Sequence, residues 1–137
     1  MANYTATARS NYFAVKDATA FEAWCKKRNL ETWSGTGGNA ARYAITPDDM
    51  SDTGGWPEDC DDDGDQTEDL CEALAVHLAD GEVAVLFEIG HEKLRYLIGT
   101  ATAVHASGKR IDINLSEIYT RASDAFGEDA AMTEVNY

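Results

Sequence analysis

The sequence predicts an α+β fold, an antiparallel sheet made of a hairpin and a three-stranded meander with about three short helices packed against it. Two segments carry apolar residues at helical spacing, and Ser116 with Glu117 starts a third, short helix. Other apolar runs are rich in β-branched residues and lie between turn signals. Consecutive strands of this kind favour an antiparallel sheet with helices on one face. The 137 residues, 44% of them hydrophobic, suffice for one compact domain and not for two. We therefore expect residues 1–137 to form a single domain.

The first third of the chain predicts a strand, a helix and a hairpin. The segment TATARSNYFAVKD reads as a strand that leads into a helix capped by Asp17, and apolar residues recur at helical spacing from residue 18 to about residue 28. Two extended segments, residues 30–34 and 40–45, flank the glycine-rich GTGGN. This arrangement predicts a hairpin.

The second half predicts one helix, three strands and a final short helix. Leucines at every fourth position indicate a helix over residues 67–79. The runs EVAVLFEIG, LRYLIGTATAV and RIDINL read as strands. The residues HEK, which include His91, are expected to form a tight connection between the first two strands. Ser116 begins the last helix, which runs to about Phe126, and a loose tail is expected at about residues 127–137.

The negative charge of the chain is regional. The formal net charge is −14, but residues 43–92 contain sixteen acids and no Lys or Arg, whereas the other 87 residues contain eleven basic and nine acidic residues. We call residues 43–92 the acidic window. A surface that is acidic only for solubility would intersperse the two signs, so this segregation needs another explanation.

A loop at about residues 46–66 holds most of these acids. It contains both prolines of the chain and many turn formers, and an unstructured stretch of this length in a compact domain is usually functional or disordered. Trp56 is its one large apolar residue. It either pins the loop onto the body, which is the more common role, or serves as an anchor for a partner.

Part of the loop matches a calcium-binding motif. Asp59, Asp61, Asp63 and Gly64 occupy the first, third, fifth and sixth positions of an EF-hand loop. The twelfth position, where a bidentate Glu is required, is Leu70. A calcium-binding or metal-stabilised accessory module is therefore the alternative interpretation, and no specific metal ligand or other cofactor is assigned.

Catalytic signatures are weak. The three histidines have no nucleophile or acid at a recognisable spacing, and GTGGN lacks the lysine of a phosphate-binding loop. We expect no enzymatic activity. Three cysteines without close spacing indicate free thiols in a reducing compartment. The absence of a signal peptide or long apolar run predicts a soluble, cytoplasmic protein that does not contact a membrane.

Two stretches carry a resemblance to a known class. ARSNYFAVKD (residues 8–17) and DGEVAVLFEIGHEKLRYLIGTATAV (residues 80–104) resemble small acidic proteins of phages and mobile elements that inhibit host defence, including anti-CRISPR and anti-restriction proteins. The resemblance implies a non-enzymatic inhibitor, acting in the host cytoplasm, that binds a CRISPR effector or a restriction enzyme by imitating DNA.

Carboxylates at the density of DNA phosphates could occupy the basic groove of such a complex. The expected partner is therefore a basic nucleic-acid-binding protein complex, and we expect no direct binding to nucleic acid. The sequence also allows a homodimer that forms through an exposed strand edge. The candidate partner-binding residues are Asp48, Asp49, Asp52, Trp56, Glu58, Asp59, Asp61, Asp62, Asp63, Asp65, Glu68, Asp69 and Glu72.

Overall fold

Two antiparallel sheets and three α-helices form the described part of the computed structural model, which covers residues 4–47, 54–56, 69–92, 96–129 and 131–133. The elements in chain order are β1 (Tyr4–Ser10), α1 (Ala18–Lys27), β2 (Leu30–Ser34), β3 (Tyr43–Pro47), α2 (Leu70–His77), β4 (Val83–Glu92), β5 (Tyr96–His105), β6 (Arg110–Asn114) and α3 (Glu117–Phe126). The predicted α+β class is confirmed.

The larger sheet has the strand order β1-β4-β5-β6, and every neighbouring pair is antiparallel. The three strands β4, β5 and β6 are the predicted meander. The first strand, which the sequence predicted without a partner, pairs along the outside of β4, from Tyr4 opposite Glu92 to Ser10 opposite Leu86. This pairing adds the N-terminal strand to the meander and makes a four-stranded sheet.

The predicted hairpin is the second sheet, in which β2 pairs with β3 from Leu30 opposite Pro47 to Ser34 opposite Tyr43. It is tied to the larger sheet by side chain to backbone hydrogen bonds. The Ser10 hydroxyl accepts from the Ile45 amide at 2.8 Å, and the Thr46 hydroxyl donates to the Ala8 carbonyl at 2.7 Å. The smaller sheet therefore lies beside β1.

One core fills the space between the larger sheet, the hairpin and the first two helices. Phe13 and Phe21 are fully buried and meet edge to face, with ring centroids 5.7 Å apart. Leu74 and Leu78 enter the same core from α2 and its end, and Ala84 enters it from β4. Burial of these side chains is the main force that holds both helices on this face of the sheet.

Helix α1 begins and ends as the sequence predicts. The Asp17 carboxylate accepts a hydrogen bond from the Ala20 amide at 3.1 Å, which satisfies one of the amides left without a helical partner at the N-terminus. Lys26 and Lys27 lie in its last turn, where positive charge complements the helix dipole.

Two predictions about local structure are wrong. His91 belongs to β4 and not to a turn, because the β4–β5 pairing continues to Glu92 opposite Tyr96. The last helix, α3, has no buried residue, so it is not packed against the sheet as the other two helices are. Its large apolar side chains Ile118 and Phe126 are exposed. No helix there is long and apolar enough to cross a membrane.

Candidate interaction surfaces

Three of the thirteen predicted partner-binding residues, Trp56, Asp69 and Glu72, belong to the described part of the chain. Trp56 precedes the densest run of acids, residues 57–68, and Asp69 and Glu72 follow it. We call residues 57–68 the acidic run. The other ten lie outside the described residues, and their role stays a prediction: Asp48, Asp49, Asp52, Glu58, Asp59, Asp61, Asp62, Asp63, Asp65 and Glu68.

The short segment Gly54 to Trp56 is docked on the larger sheet. Gly54 has a φ of +86°, and a Cβ added to it would lie 2.0 Å from the carbonyl oxygen of Ala6 on β1. A Cβ on Gly55 would lie 2.7 Å from the Glu88 carboxylate on β4. Only glycines allow the backbone to approach both strands this closely.

Trp56 fixes the end of this segment. Its backbone amide donates to Oε1 of Glu88 at 2.8 Å, and its half-buried side chain packs against the core. The indole Nε1 is buried and has no hydrogen-bond partner among the described residues. The contacts match the role of a pin that holds the loop on the body. A direct contact between Trp56 and a partner stays a prediction.

Asp69 fixes the chain at the other side of the acidic run. Its Oδ1 accepts hydrogen bonds from the amides of Cys71 at 2.8 Å and Glu72 at 3.1 Å, which makes it the N-cap of α2. Nη1 of Arg110 on β6 donates to both carboxylate oxygens, at 3.3 and 3.2 Å. The carboxylate of Asp69 therefore serves the fold, and its charge is partly compensated.

Arg110 lies between two carboxylates. Besides Asp69, it binds Asp112, with Nε donating to Oδ2 at 3.1 Å and Nη2 to Oδ1 at 3.0 Å, while the Thr102 hydroxyl donates to the same Oδ1 at 2.6 Å. The hydrogen bonds from Arg110 and then Thr102 lower the pKa of Asp112, and the bond to Asp112 raises the pKa of Arg110. This cluster clamps the start of α2 to the sheet at β6.

Other acids of the acidic window also bind within the protein. Oε1 of Glu82 accepts from Nη1 of Arg42 at 2.7 Å and from the Ala14 amide at 2.8 Å. Arg42 and Arg110 both lie outside the window in sequence, yet they fold back onto its carboxylates. Residues 43–92 contain no Lys or Arg, but cations from other segments lie next to their carboxylates in the folded protein.

The remaining described acids of the window are exposed. They are Glu72, Asp80 and Glu92. Glu72 is closest in the chain to the acidic run, and it lies in the first turn of α2, where a carboxylate also stabilises the positive end of the helix dipole. Of the predicted site, Glu72 is therefore the described residue that keeps an accessible carboxylate.

Among the described histidines and cysteines, His77 and Cys25 contribute to packing. His77 contacts the Trp24 ring, with centroids 5.1 Å apart, and Cys25 is a buried free thiol whose pKa is raised to about 12, first by burial. A thiol with a raised pKa is a poor nucleophile. Within the described ranges, no group of three His, Cys, Asp or Glu residues could hold a metal ion. The Asp59, Asp61 and Asp63 motif lies outside those ranges.

The structure also contains a second candidate interaction surface, which the sequence analysis did not predict. We call the side of the larger sheet opposite α1 and α2 the outer face. Along β4, Ala84 and Leu86 point to the core and are buried, whereas Phe87 and Ile89 point to the outer face and are 51% and 64% exposed. The sequence does contain a signal, since EVAVLFEIG is apolar at both alternating sets of positions, which is typical of a strand covered on both faces.

The outer face is apolar across three strands. Its exposed large side chains are Phe87, Ile89, Leu97, Ile111, Ile113 and Leu115. At its centre, Gly99 leaves a shallow depression of about 200 Å³ lined by Phe87, Ile89 and Leu115. A Cβ on Gly99 would lie 2.8 Å from Cγ of Leu115, so glycine is needed for Leu115 to lie over β5.

The described residues thus include two surfaces of different character on opposite sides of one sheet. The anchors of the acidic run lie on the helix-covered side, and the apolar outer face lies on the other. Comparison with protein-family models, with curated proteins and with solved structures found no match to this chain. Function must therefore be argued from these surfaces.

Proposed function

We propose that the protein is a non-enzymatic inhibitor of a host defence complex, an anti-CRISPR protein that presents carboxylates to the basic nucleic-acid-binding groove of a CRISPR effector. The observation that carries the proposal is the segregation of charge, with sixteen acids and no Lys or Arg over residues 43–92. A dense field of one sign steers a protein toward a basic groove and competes with nucleic acid there.

The anchors on both sides of the acidic run support this proposal. Trp56 is held on β4 through Glu88, and Asp69 is held at the start of α2 by capping and by Arg110. Twelve residues join these two fixed points, so the run is attached to a rigid body at both sides. Restricting a binding segment in this way lowers the entropy lost when it binds.

The internal ion pairs define which acids are available. Asp69 and Glu82 are engaged with arginines, so their charges contribute less to an external field. The proposed binding surface then comprises exposed Glu72 and the predicted acids outside the described residues, which lie between residues 48 and 68. Affinity for a basic partner should fall as salt rises, because screening weakens interactions between exposed charges.

The experiment is capture of the partner from lysates of bacteria with active CRISPR or restriction systems, at low and at high salt. The wild-type chain should retain a nucleic-acid-binding complex that duplex DNA displaces. A variant with Asp61→Lys, Asp62→Lys and Asp63→Lys should lose it, because three carboxylates become cations facing a basic groove.

A matched control separates position from total charge. The variant Asp124→Lys, Glu128→Lys and Asp129→Lys changes the net charge by the same amount at exposed positions near the C-terminal end of α3. It should retain the complex. Equal capture by the Asp61–Asp63 variant, or equal loss in both variants, would show that the acidic run is not the recognition surface.

A further inference from the structure

The outer face lacks the charge that dominates the rest of the protein. The acids of the larger sheet, Glu88, Glu92 and Asp112, occupy positions on the side that faces the helices, as the strand register requires. Among the described strand residues, the outer face carries no carboxylate, and Arg9 is its cation. In a chain of net charge −14, this is the face where two copies can approach with the least repulsion.

Helix α3 carries a second exposed apolar surface. Ile118, Ala122 and Phe126 lie on one side of it at helical spacing, and Ile118 and Phe126 are 60% and 77% exposed. Glu117 and Asp124 lie on the opposite side. A ten-residue helix is only marginally stable in water unless its apolar side is covered.

The exposed apolar area is larger than a lone soluble chain usually carries. Six large side chains of the outer face are 45% to 71% exposed. The outer face alone presents on the order of 600 Å² of surface, at the upper end of the roughly 300–600 Å² of the largest patch on a typical monomer, and the separate surface of Ile118 and Phe126 brings the total to the order of 800 Å². This area matches the approximately 800 Å² that each partner contributes to a standard stable interface.

We infer that the protein forms a homodimer through the outer face, with α3 of each copy packed on the sheet of the other. The two copies are related by a two-fold axis, so each supplies one sheet and one helix and both apolar surfaces of both chains are covered. The anchors of the acidic run, Trp56 and Asp69, lie on the far side of each sheet. The dimer therefore leaves both acidic surfaces accessible.

This inference does not depend on the proposed inhibitor function. It requires only that the outer face and α3 bind a second copy, and it uses none of the acids of the acidic run. A dimer through this face also differs from pairing along an open strand edge, because side chains and not backbone hydrogen bonds form the contact.

The test is the mass of the full chain by sedimentation equilibrium over a range of concentrations. The wild type should have twice the 14.9 kDa mass of one chain. Substitution of Ile89→Lys together with Ile111→Lys should raise the dimer dissociation constant at least about 100-fold, because it places cations in a desolvated apolar contact. Ile118→Ala with Phe126→Ala should raise it at least about tenfold.

A control with the same charge change is Val76→Lys together with Thr120→Lys. Val76 is 69% exposed on α2, and Thr120 is exposed on the polar side of α3. This variant should dimerise as the wild type does. Circular dichroism checks the fold of each variant, and Ile111→Thr, which keeps a β-branched side chain, replaces the lysine pair if that pair fails to fold.

A wild-type chain that stays monomeric at all concentrations would overturn the inference and assign the outer face to another occupant. A dimer that survives the outer-face and α3 substitutions unchanged would also overturn it, because the contact would then lie elsewhere. Loss of the dimer in the outer-face variants with retention in the control supports it. Capture of a basic partner by a monomeric outer-face variant would support both proposals and show that partner binding does not require the dimer.

Discussion

At the scale of single residues, the described acids of the acidic window fall into two groups. Asp69, Glu82 and Glu88 accept hydrogen bonds from backbone amides, and the first two also pair with arginines. Glu72, Asp80 and Glu92 are exposed. Density along the chain could not separate these groups, because the arginines that engage them come from other segments.

Asp112 gives a pH-dependent prediction at this scale. Hydrogen bonds from Arg110 and Thr102 hold the pKa of Asp112 below its ordinary value of 3.8. The folded state therefore binds this proton less tightly than the unfolded state, so the stabilisation is complete above pH 3.8 and is lost as the pH falls through the lower folded-state pKa. Wild type should exceed Asp112→Asn in stability at neutral pH, and the difference should vanish in acid.

Urea unfolding of both proteins at a series of pH values measures this difference. In a chain that carries Thr102→Val, the loss of stability caused by Asp112→Asn should be smaller but still present, because the Thr102 hydroxyl is the smaller of the two hydrogen-bond causes. A difference that stays constant down to strongly acidic pH would mean that the carboxylate charge of Asp112 is not what stabilises the cluster.

At the scale of elements, α2 depends on one residue for its start. Asp69 caps the amides of Cys71 and Glu72, and the helix buries five of its eight residues. Asp69→Ala should therefore lower the free energy of unfolding by about 1–2 kcal/mol, mainly through loss of the cap. The change is measured by thermal or urea unfolding.

Two substitutions resolve the cause of that loss. Asp69→Asn keeps a capping oxygen and removes the charge, so it should recover most of the stability, since the pair with Arg110 is well exposed and contributes little. Glu72→Gln alters only the interaction with the helix dipole and should cost about 0.3–0.5 kcal/mol. Equal losses in Asp69→Asn and Asp69→Ala would assign the effect to the ion pair.

The three helices differ in how far the rest of the protein buries them. Helices α1 and α2 are covered by the sheet, whereas α3 has a comparable amphipathic pattern and no buried residue. The sequence predicts all three helices. Whether an apolar stripe is covered depends on where the neighbouring strands and connections place it.

At the scale of the whole molecule, a net charge of −14 should make stability depend on salt. Sodium chloride should raise the melting temperature by screening repulsion between carboxylates. Calcium at matched ionic strength should add no further shift, and a chelator should have no effect. Calorimetry or circular dichroism in the three buffers measures this.

The opposite outcome would support the calcium interpretation. A rise of several degrees that saturates at micromolar calcium would indicate a ligand that binds only the folded state. Asp61→Asn would then remove the rise, because the third position of the motif would lose its carboxylate. The inhibitor proposal would lose its main support, since the acids would have another use.

The sequence by itself determined the α+β class, the hairpin, the meander and the N-cap of α1, because periodicity, turn residues and capping are local properties. Tertiary structure alone decided that β1 pairs with β4, that Arg42 and Arg110 reach into the acidic window, and that apolar side chains of the outer face and α3 are exposed. Those results depend on which distant segments meet, and a pattern read along one segment carries no information about its neighbours in space.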